Sequence, residues 1–253
     1  MAVDEAIMES VASGDSPPTL RFYGWQPACL SLGIAQEWDV VDLARCADLG
    51  WDVVRRATGG RAILHVDELT YSVCAPKEEP RVQGAILESY ERLSEALLAG
   101  LRLMGLEPRR VRSYYQDKGE SGPACFDGPA DFEILMGQHK LLGSAQVRKK
   151  GVVLQHGTLP LFGDITRIAE ALYFDLPGQR DALRSRMHYR ATTVLNSLGR
   201  KLEFNEAADF MSRGFASELD LTLEPDGLTA QETWRAAEIE AEKYGTEAWT
   251  KHV

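Results

Sequence analysis

No run of apolar residues in the chain approaches the about 18 that a membrane-spanning helix needs. Its start, Met1-Ala2-Val3-Asp4-Glu5, has no basic stretch leading into an apolar one. Neither a membrane segment nor an export signal is therefore expected, and the sequence reads as a soluble, cytoplasmic protein. Cysteine is scarce and scattered. Cys29, Cys46, Cys74 and Cys125 form no C-x-x-C pair, and no histidine stands at zinc-ligand spacing from them. Neither a disulfide framework nor a metal site is suggested, and free thiols in a reducing compartment are expected. Positive charge is also short: 28 Lys and Arg against 38 Asp and Glu give a formal net charge of −10. Nucleic-acid binding, which is driven by phosphate neutralisation, is not expected. Two local basic runs remain, Arg109-Arg110-Val111-Arg112 and Arg148-Lys149-Lys150. They read either as solvated edges and turns or as docking points for an acidic protein partner.

What is present is ordinary globular material, 44% apolar and 26% charged over 253 residues. With no repeat, no low-complexity tract and only one linker-like stretch, Ser113 to Ala124, the simplest organisation is a single domain, 1–253, that becomes mainly helical from about residue 164. A short helix is predicted over 3–12, then strands Thr19 to Tyr23 and Cys29 to Gly33 across a Trp25-Gln26-Pro27 turn. Asp39 to Leu49 reads as a helix stopped by Gly50. Short strands follow at Trp51 to Arg56, Arg61 to His65 and Leu69 to Ala75, and their tight turns favour antiparallel pairing. From Pro80 to Met104, Ile86, Tyr90, Leu93, Leu97, Leu101 and Met104 recur every three or four residues and draw one apolar helical stripe. A hairpin is expected near Asp131–Met136 and Lys140–Arg148, turning at Gly137-Gln138, followed by a strand Val152 to Gln155. Helices are expected at 164–173, 180–187, 191–198, 205–218 and 229–243, the last opened by Thr229-Ala230-Gln231-Glu232 as a reciprocal cap. Hairpins with helices set to one side predict an α+β fold with a largely antiparallel or mixed sheet.

Two segments carry the candidate chemistry. In Arg55-Arg56-Ala57-Thr58-Gly59-Gly60-Arg61-Ala62-Ile63-Leu64-His65, a Gly-Gly pair permits close backbone approach to a ligand, and Arg56 and Arg61 offer planar donors. A tight hairpin with surface arginines would look the same. The second segment runs from Cys125-Phe126-Asp127-Gly128-Pro129 through Lys140-Leu141-Leu142-Gly143-Ser144-Ala145-Gln146 to Gln155-His156-Gly157-Thr158. A thiol in a Gly/Pro-rich turn is more exposed than one on an apolar face, and a nearby ammonium favours its thiolate. Burial as a small hydrophobe is the commoner fate of a cysteine. Cys29, Cys46 and Cys74, each among apolar neighbours, keep that reading.

Together these segments resemble the biotin/lipoate ligase superfamily. Arg55-Arg56-x-Thr-Gly-Gly-Arg-Ala-x-x-His65 is similar to its lipoyl-binding loop, and Lys140-x-x-Gly-Ser-Ala-Gln146 to the strand carrying its key lysine. Met1 to Ala6 looks like its first helix, and Glu68 to Val73 like the strand after the loop. ATP-dependent lipoate ligases usually have Gly-Arg-Asn-Asp-like residues ahead of the lysine strand and commonly a further C-terminal domain. Here that place reads Cys125-Phe-Asp-Gly-Pro and no room for such a domain follows. On both points the chain resembles LipM-type octanoyltransferases, which have a cysteine at this separation from the lysine. Members generally have a strand ahead of the Met1-like helix, so either the start is truncated or that edge strand is absent.

The resemblance implies Cys125 and Lys140 as the catalytic pair. It further implies substrate-binding roles for Arg56, Gly59, Gly60, Arg61, His65, Gly143, Ser144, Ala145, His156 and Gly157, with no metal and no cofactor. Octanoyl-acyl carrier protein is the implied acyl donor, and a lipoyl-domain protein such as the glycine-cleavage H protein the implied acceptor. Backbone N–H groups near Gly143-Ser144 are the expected oxyanion donors, and His65 and His156 either orient the loop or relay protons. Three other readings stay open: an ATP-dependent lipoate-protein ligase with Cys125 incidental, an amidotransferase between lipoyl domains, and a non-catalytic module that holds acylated carriers.

Overall fold

The computed structural model describes residues 1–112, 122–127 and 132–253. Most of the linker-like stretch Ser113 to Ala124, and Gly128 to Asp131 of the expected turn and hairpin start, lie outside the described residues. The elements follow the chain as α1 (Ala2–Ser13), β1 (Thr19–Tyr23), β2 (Cys29–Leu32), α2 (Leu43–Asp48), β3 (Asp52–Arg55), β4 (Ile63–His65), β5 (Glu68–Pro76) and α3 (Ile86–Leu103). Then come β6 (Arg109–Arg112), β7 (Phe132–Met136), β8 (His139–Lys149), β9 (Val152–Pro160), α4 (Ile168–Ala171), α5 (Gln179–Arg190), α6 (Val194–Leu198), α7 (Phe204–Glu218), α8 (Ala230–Ile239) and α9 (Glu247–Thr250).

Six strands form an antiparallel sheet in the order β1-β5-β9-β8-β7-β6, and three form a small sheet in the order β3-β2-β4. This is an α+β fold with a mostly antiparallel sheet flanked by helices. Two local expectations are corrected. β1 and β2 do not pair across Trp25-Gln26-Pro27, because β1 pairs with β5 in the large sheet and β2 enters the small one. β2 and β3 run parallel, since the segment holding α2 returns the chain to the same end of the small sheet, which a tight turn cannot do. The helix expected over 39–49 is divided into a 3-10 turn, Trp38–Val40, and α2, which the Asp42 carboxylate caps by accepting from Arg45 N–H. The helix expected from Pro80 begins at Ile86, where Glu88 accepts from Ala85 N–H.

Strand alternation divides the large sheet's side chains between two faces. One face carries Leu69, Tyr71, Leu142 and Leu159 into a core with Leu93, Leu97 and Leu101 of α3 and Met211 and Phe215 of α7. α3 and α7 touch at glycines, where a Cβ on Gly214 would lie 2.2 Å from Gly100 N. On the other face, Cys74 and Leu154 meet Ile7, Met8 and Val11 of α1. Further along that face the residues turn polar, with Thr70, Ser72, His156 and Thr158, and there the small sheet lies against it. The basic runs lie on an edge strand, β6, and at the turn between β8 and β9.

Candidate active site

Cys125 opens a 3-10 turn, Cys125–Asp127, that is tied to the small sheet. Its N–H donates to Ala62 O at 2.9 Å, Ala62 N–H to Pro123 O at 3.1 Å, and Gln36 Nε2 to Pro123 O at 3.0 Å. Lys140 belongs to the large sheet. Its ammonium donates to the Cys125 carbonyl at 3.1 Å, lies 3.7 Å from Cys125 Sγ, and pairs with the Glu133 carboxylate at 3.0 Å. It also stands 5.2 Å from the Phe126 ring centroid, where the ring's face attracts a cation. Cysteine and lysine thus meet across the gap between the two sheets, and the return of the chain onto Ala62 is what closes the distance.

A β-bulge aims the lysine. Met136 faces His139 and Leu135 faces Lys140, but Ile134 then faces Leu142, so Leu141 is an extra residue in β8. In a regular strand, positions three apart point to opposite faces. The extra residue cancels one alternation, so Leu141 and Leu142 both enter the α3 core while Lys140 and Gly143 share the cleft face. A Cβ on Gly143 would lie 3.3 Å from Lys140 Cε and 3.7 Å from Cys125 Sγ. Glycine there keeps a side chain from crowding the ammonium and the sulfur.

Lys140 is buried, and burial alone would lower its pKa; the thiol of Cys125 and the carboxylate of Glu133 outweigh that and hold it raised. The lysine is an ammonium at neutral pH, and an ammonium this close stabilises negative charge on sulfur. Cys125 is half-buried, whereas Cys29, Cys46 and Cys74 are buried. Burial pushes Cys29 up to about 12 and Cys46 up to about 11, which keeps both as thiols.

The arginine-glycine loop is built differently from a row of ligand donors. Arg55 is fully buried and gives Nε to Thr250 O and Nη1 to Gly33 O and Gln36 O. Arg56 folds back over its own turn: Nη1 donates to Ser31 O and Oγ, and Nη2 to Gly59 O and Arg61 O, all between 2.8 and 3.1 Å. Burial brings it down to about 10, so it stays charged. Gly60 has φ +94°, a conformation only glycine takes without strain, and its carbonyl presses so close to Gly33 that a Cβ there would sit 1.8 Å away. Arg61 has one guanidinium nitrogen, Nη1, buried without a hydrogen-bond partner among the described residues.

His156, on the cleft face of β9, hydrogen-bonds Thr58 Oγ1 at 2.6 Å and so joins the loop to the large sheet. Burial lowers it to about 3, so it is neutral. His65 lies between Ser31 Oγ and Glu68 Oε1, 2.7 Å from each. Ala145 pairs with His156 and shares its face. Ser144 and Gly157 face the other way: Tyr71 OH donates to Ser144 Oγ at 2.7 Å, and a Cβ on Gly157 would lie 2.5 Å from Tyr71 Cε1. A narrow, largely apolar crevice opens from Phe126 between Ile63, Leu64, Ile165, Ile168 and Met187. A cavity of about 700 Å³ lined by Met136, His139, His188 and Asn196 adjoins the start of β8 without reaching Cys125.

Glu133 escaped the reading of the residues. The hairpin register held the clue: with Leu135 opposite Lys140, a side chain two positions before Leu135 must share the lysine's face.

A half-buried thiol 3.7 Å from a buried ammonium is compatible with an acyltransferase, and that is the class in which the relatives of the chain place it. The chain matches the lipoyl protein ligase A/B catalytic domain over residues 1–216 and belongs to that family. It is 41% identical to octanoyltransferase LipM of Moorella thermoacetica, over 99% of this chain and 92% of that protein. With octanoyltransferase LipM of Brevibacillus brevis the identity is 37%, over 98% of this chain and 92% of that protein. Among solved structures, it resembles a bipartite lipoate protein ligase from Thermoplasma acidophilum, with a TM-score of 0.81 and 27% identity over 99% of this chain and 89% of that one. A lipoate-protein ligase A bound with ATP gives a TM-score of 0.78 and 27% identity, over 99% and 92% of the two chains.

Proposed function

We propose that the protein moves an octanoyl group from octanoyl-acyl carrier protein to a lysine of a lipoyl-domain protein, such as the glycine-cleavage H protein, through a thioester on Cys125. The observation that supports this most is the 3.7 Å approach of the Lys140 ammonium to Cys125 Sγ next to Gly143, which has no side chain to crowd them. In the first half-reaction, sulfur attacks the carrier thioester, a new C–S bond replaces the old one, and the carrier leaves as its thiol with the proton that Cys125 gives up. In the second, the acceptor amine attacks the enzyme thioester and Cys125 is released as the thiol. Aminolysis of a thioester is downhill, so the proposed cycle draws on no ATP and no cofactor.

Intact-protein mass spectrometry after mixing with octanoyl-acyl carrier protein alone tests this. The parent gains one hydroxylamine-labile octanoyl group, Cys125→Ser gains none, and Lys140→Ala acquires it slowly at neutral pH. An adduct unaffected by Cys125→Ser overturns the mechanism, and acylation that requires ATP and a free acid points to a ligase.

A further inference from the structure

The second half-reaction, as proposed above, sets a problem that the cysteine and lysine do not solve. The acceptor lysine arrives as an ammonium, and only its amine form attacks a carbonyl. Lys140 is itself an ammonium and accepts no proton, and Cys125 is occupied as the thioester. His156 is bound to Thr58, and His65 is closed between Ser31 and Glu68. Both Lys140 and Arg56 repel an incoming cation. A carboxylate stands in the gap: Glu133 Oε1 lies 3.0 Å from Lys140 Nζ, which is 3.7 Å from the sulfur. Its side chain is 13% exposed, against 4% for Lys140, and its strand is one removed from the sheet edge. Buried carboxylates paired to one lysine ordinarily serve the pair alone, but this one keeps part of its surface exposed.

We propose that Glu133 receives the acceptor lysine's ammonium and takes its proton in the second half-reaction. This rests on the thioester reading and names the group that completes it. The acceptor –NH3⁺ passes one proton to the Glu133 carboxylate, and the amine so formed attacks the thioester carbonyl. A C–N bond forms, the C–S bond breaks, and its electron pair leaves on Cys125 sulfur beside the Lys140 ammonium. The nitrogen's second proton goes to that sulfur, and Glu133 returns its own proton to water. Lys140 from β8 and Tyr90 from α3 are among the titratable groups that interact with this carboxylate. Glutamine at 133 keeps an oxygen for the Lys140 N–H but removes the charge and the proton acceptor, so it separates positioning of the lysine from capture of the amine.

The test measures the two half-reactions separately in single turnovers of the parent, Glu133→Gln and Glu133→Asp. Acyl-enzyme formation is followed with octanoyl-acyl carrier protein alone. Transfer is followed on adding a lipoyl-domain protein to the isolated adduct, between pH 6.5 and 9.5. With glutamine, transfer at pH 7 falls about 100-fold further than acylation does. The gap then closes as rising pH deprotonates the acceptor amine in solution, and aspartate recovers part of the loss. Equal slowing of both halves, or a gap that does not change with pH, overturns the role of Glu133. If aspartate is no faster than glutamine in transfer, the proposal also fails. A parent that forms no thioester at all sinks the acyl-enzyme reading together with this one.

Discussion

Two constellations of a nucleophile, a nitrogen side chain and a carboxylate lie within this fold, and the better-looking one is sealed. Ser31, His65 and Glu68 are linked by two contacts of 2.7 Å in the connectivity of a hydrolytic triad. Yet Ser31 has no exposed surface, its hydroxyl also accepts from Arg56, and the indole of Trp25 stacks on the imidazole at 4.3 Å. Thr70 and Thr158 donate to the same carboxylate oxygen, so the network is closed on itself. Cys125, Lys140 and Glu133 make looser contacts, but the sulfur is half-buried and the glycine at 143 presents no side chain to it. Short hydrogen bonds measure how well polar groups satisfy one another. Reactivity needs the reverse, an atom with capacity left over and a route to it. The serine chain is a brace, running from Glu68 through His65 and Ser31 to Arg56 and hence to the glycine loop over the thiol.

The strongest way to break this contrast is to crowd the sulfur. Gly143→Val places methyl groups where the acyl carbon must sit, and acylation should fall by about 100-fold or more, because a misplacement of about 1 Å in the reacting geometry is enough for that. Adduct formation by mass spectrometry reads the effect, and an undiminished rate would move the reacting carbon elsewhere. Ser31→Ala acts on the other constellation and should do the opposite. It leaves His65 and Arg56 each short of a partner and lowers stability by about 1–3 kcal/mol in urea unfolding. Cys125 should still acylate, and a serine variant as inactive as Cys125→Ser would restore the buried triad as chemistry.

The sequence made the cysteine and lysine of the reactive constellation legible and the brace illegible for one reason, namely distance along the chain. Cys125 and Lys140 sit in one stretch whose composition is odd, and α3, α7 and the reciprocal cap of Thr229 and Glu232 follow local periodicity and capping chemistry. The pairing of β2 with β3 and β4, which carries Ser31 to His65, depends on which sheet each strand joins, and short apolar runs do not specify that. Arg56 was visible as a cation, but its donors go to carbonyls three and five residues further along its own loop or on β2, which a linear motif cannot display. The bulge at Leu141 was hidden as well, since two leucines in succession look the same whether or not one residue is extra. Without it, Lys140 would point away from Gly143.

The smallest effect concerns the tie between the loop and the large sheet, and it sharpens the contrast because it reads the brace without touching either nucleophile. His156 is held down to about 3, chiefly by burial, with the Arg56 charge adding to it and Asp4 opposing. An unfolded chain binds a proton at this residue from about 6.5 downward. Between those values the unfolded state holds more protons than the folded one, so stability is present above about 6.5 and drains away as pH falls, by at most about 1.4 kcal/mol per pH unit. Glu9, lowered to about 2 mainly by its hydrogen bond to Arg235, loses its own contribution only below its ordinary value of 4.5, which leaves a clean interval for the histidine. Urea midpoints of the parent measured from pH 6.5 to 5 should therefore decline, and those of His156→Gln, whose amide can still bond Thr58, should decline less steeply by about that amount. Parallel lines for the two proteins would mean that the ring takes up its proton without unfolding. The polar roof over Cys125 would then be open to water in a way that the closed network around Ser31 is not.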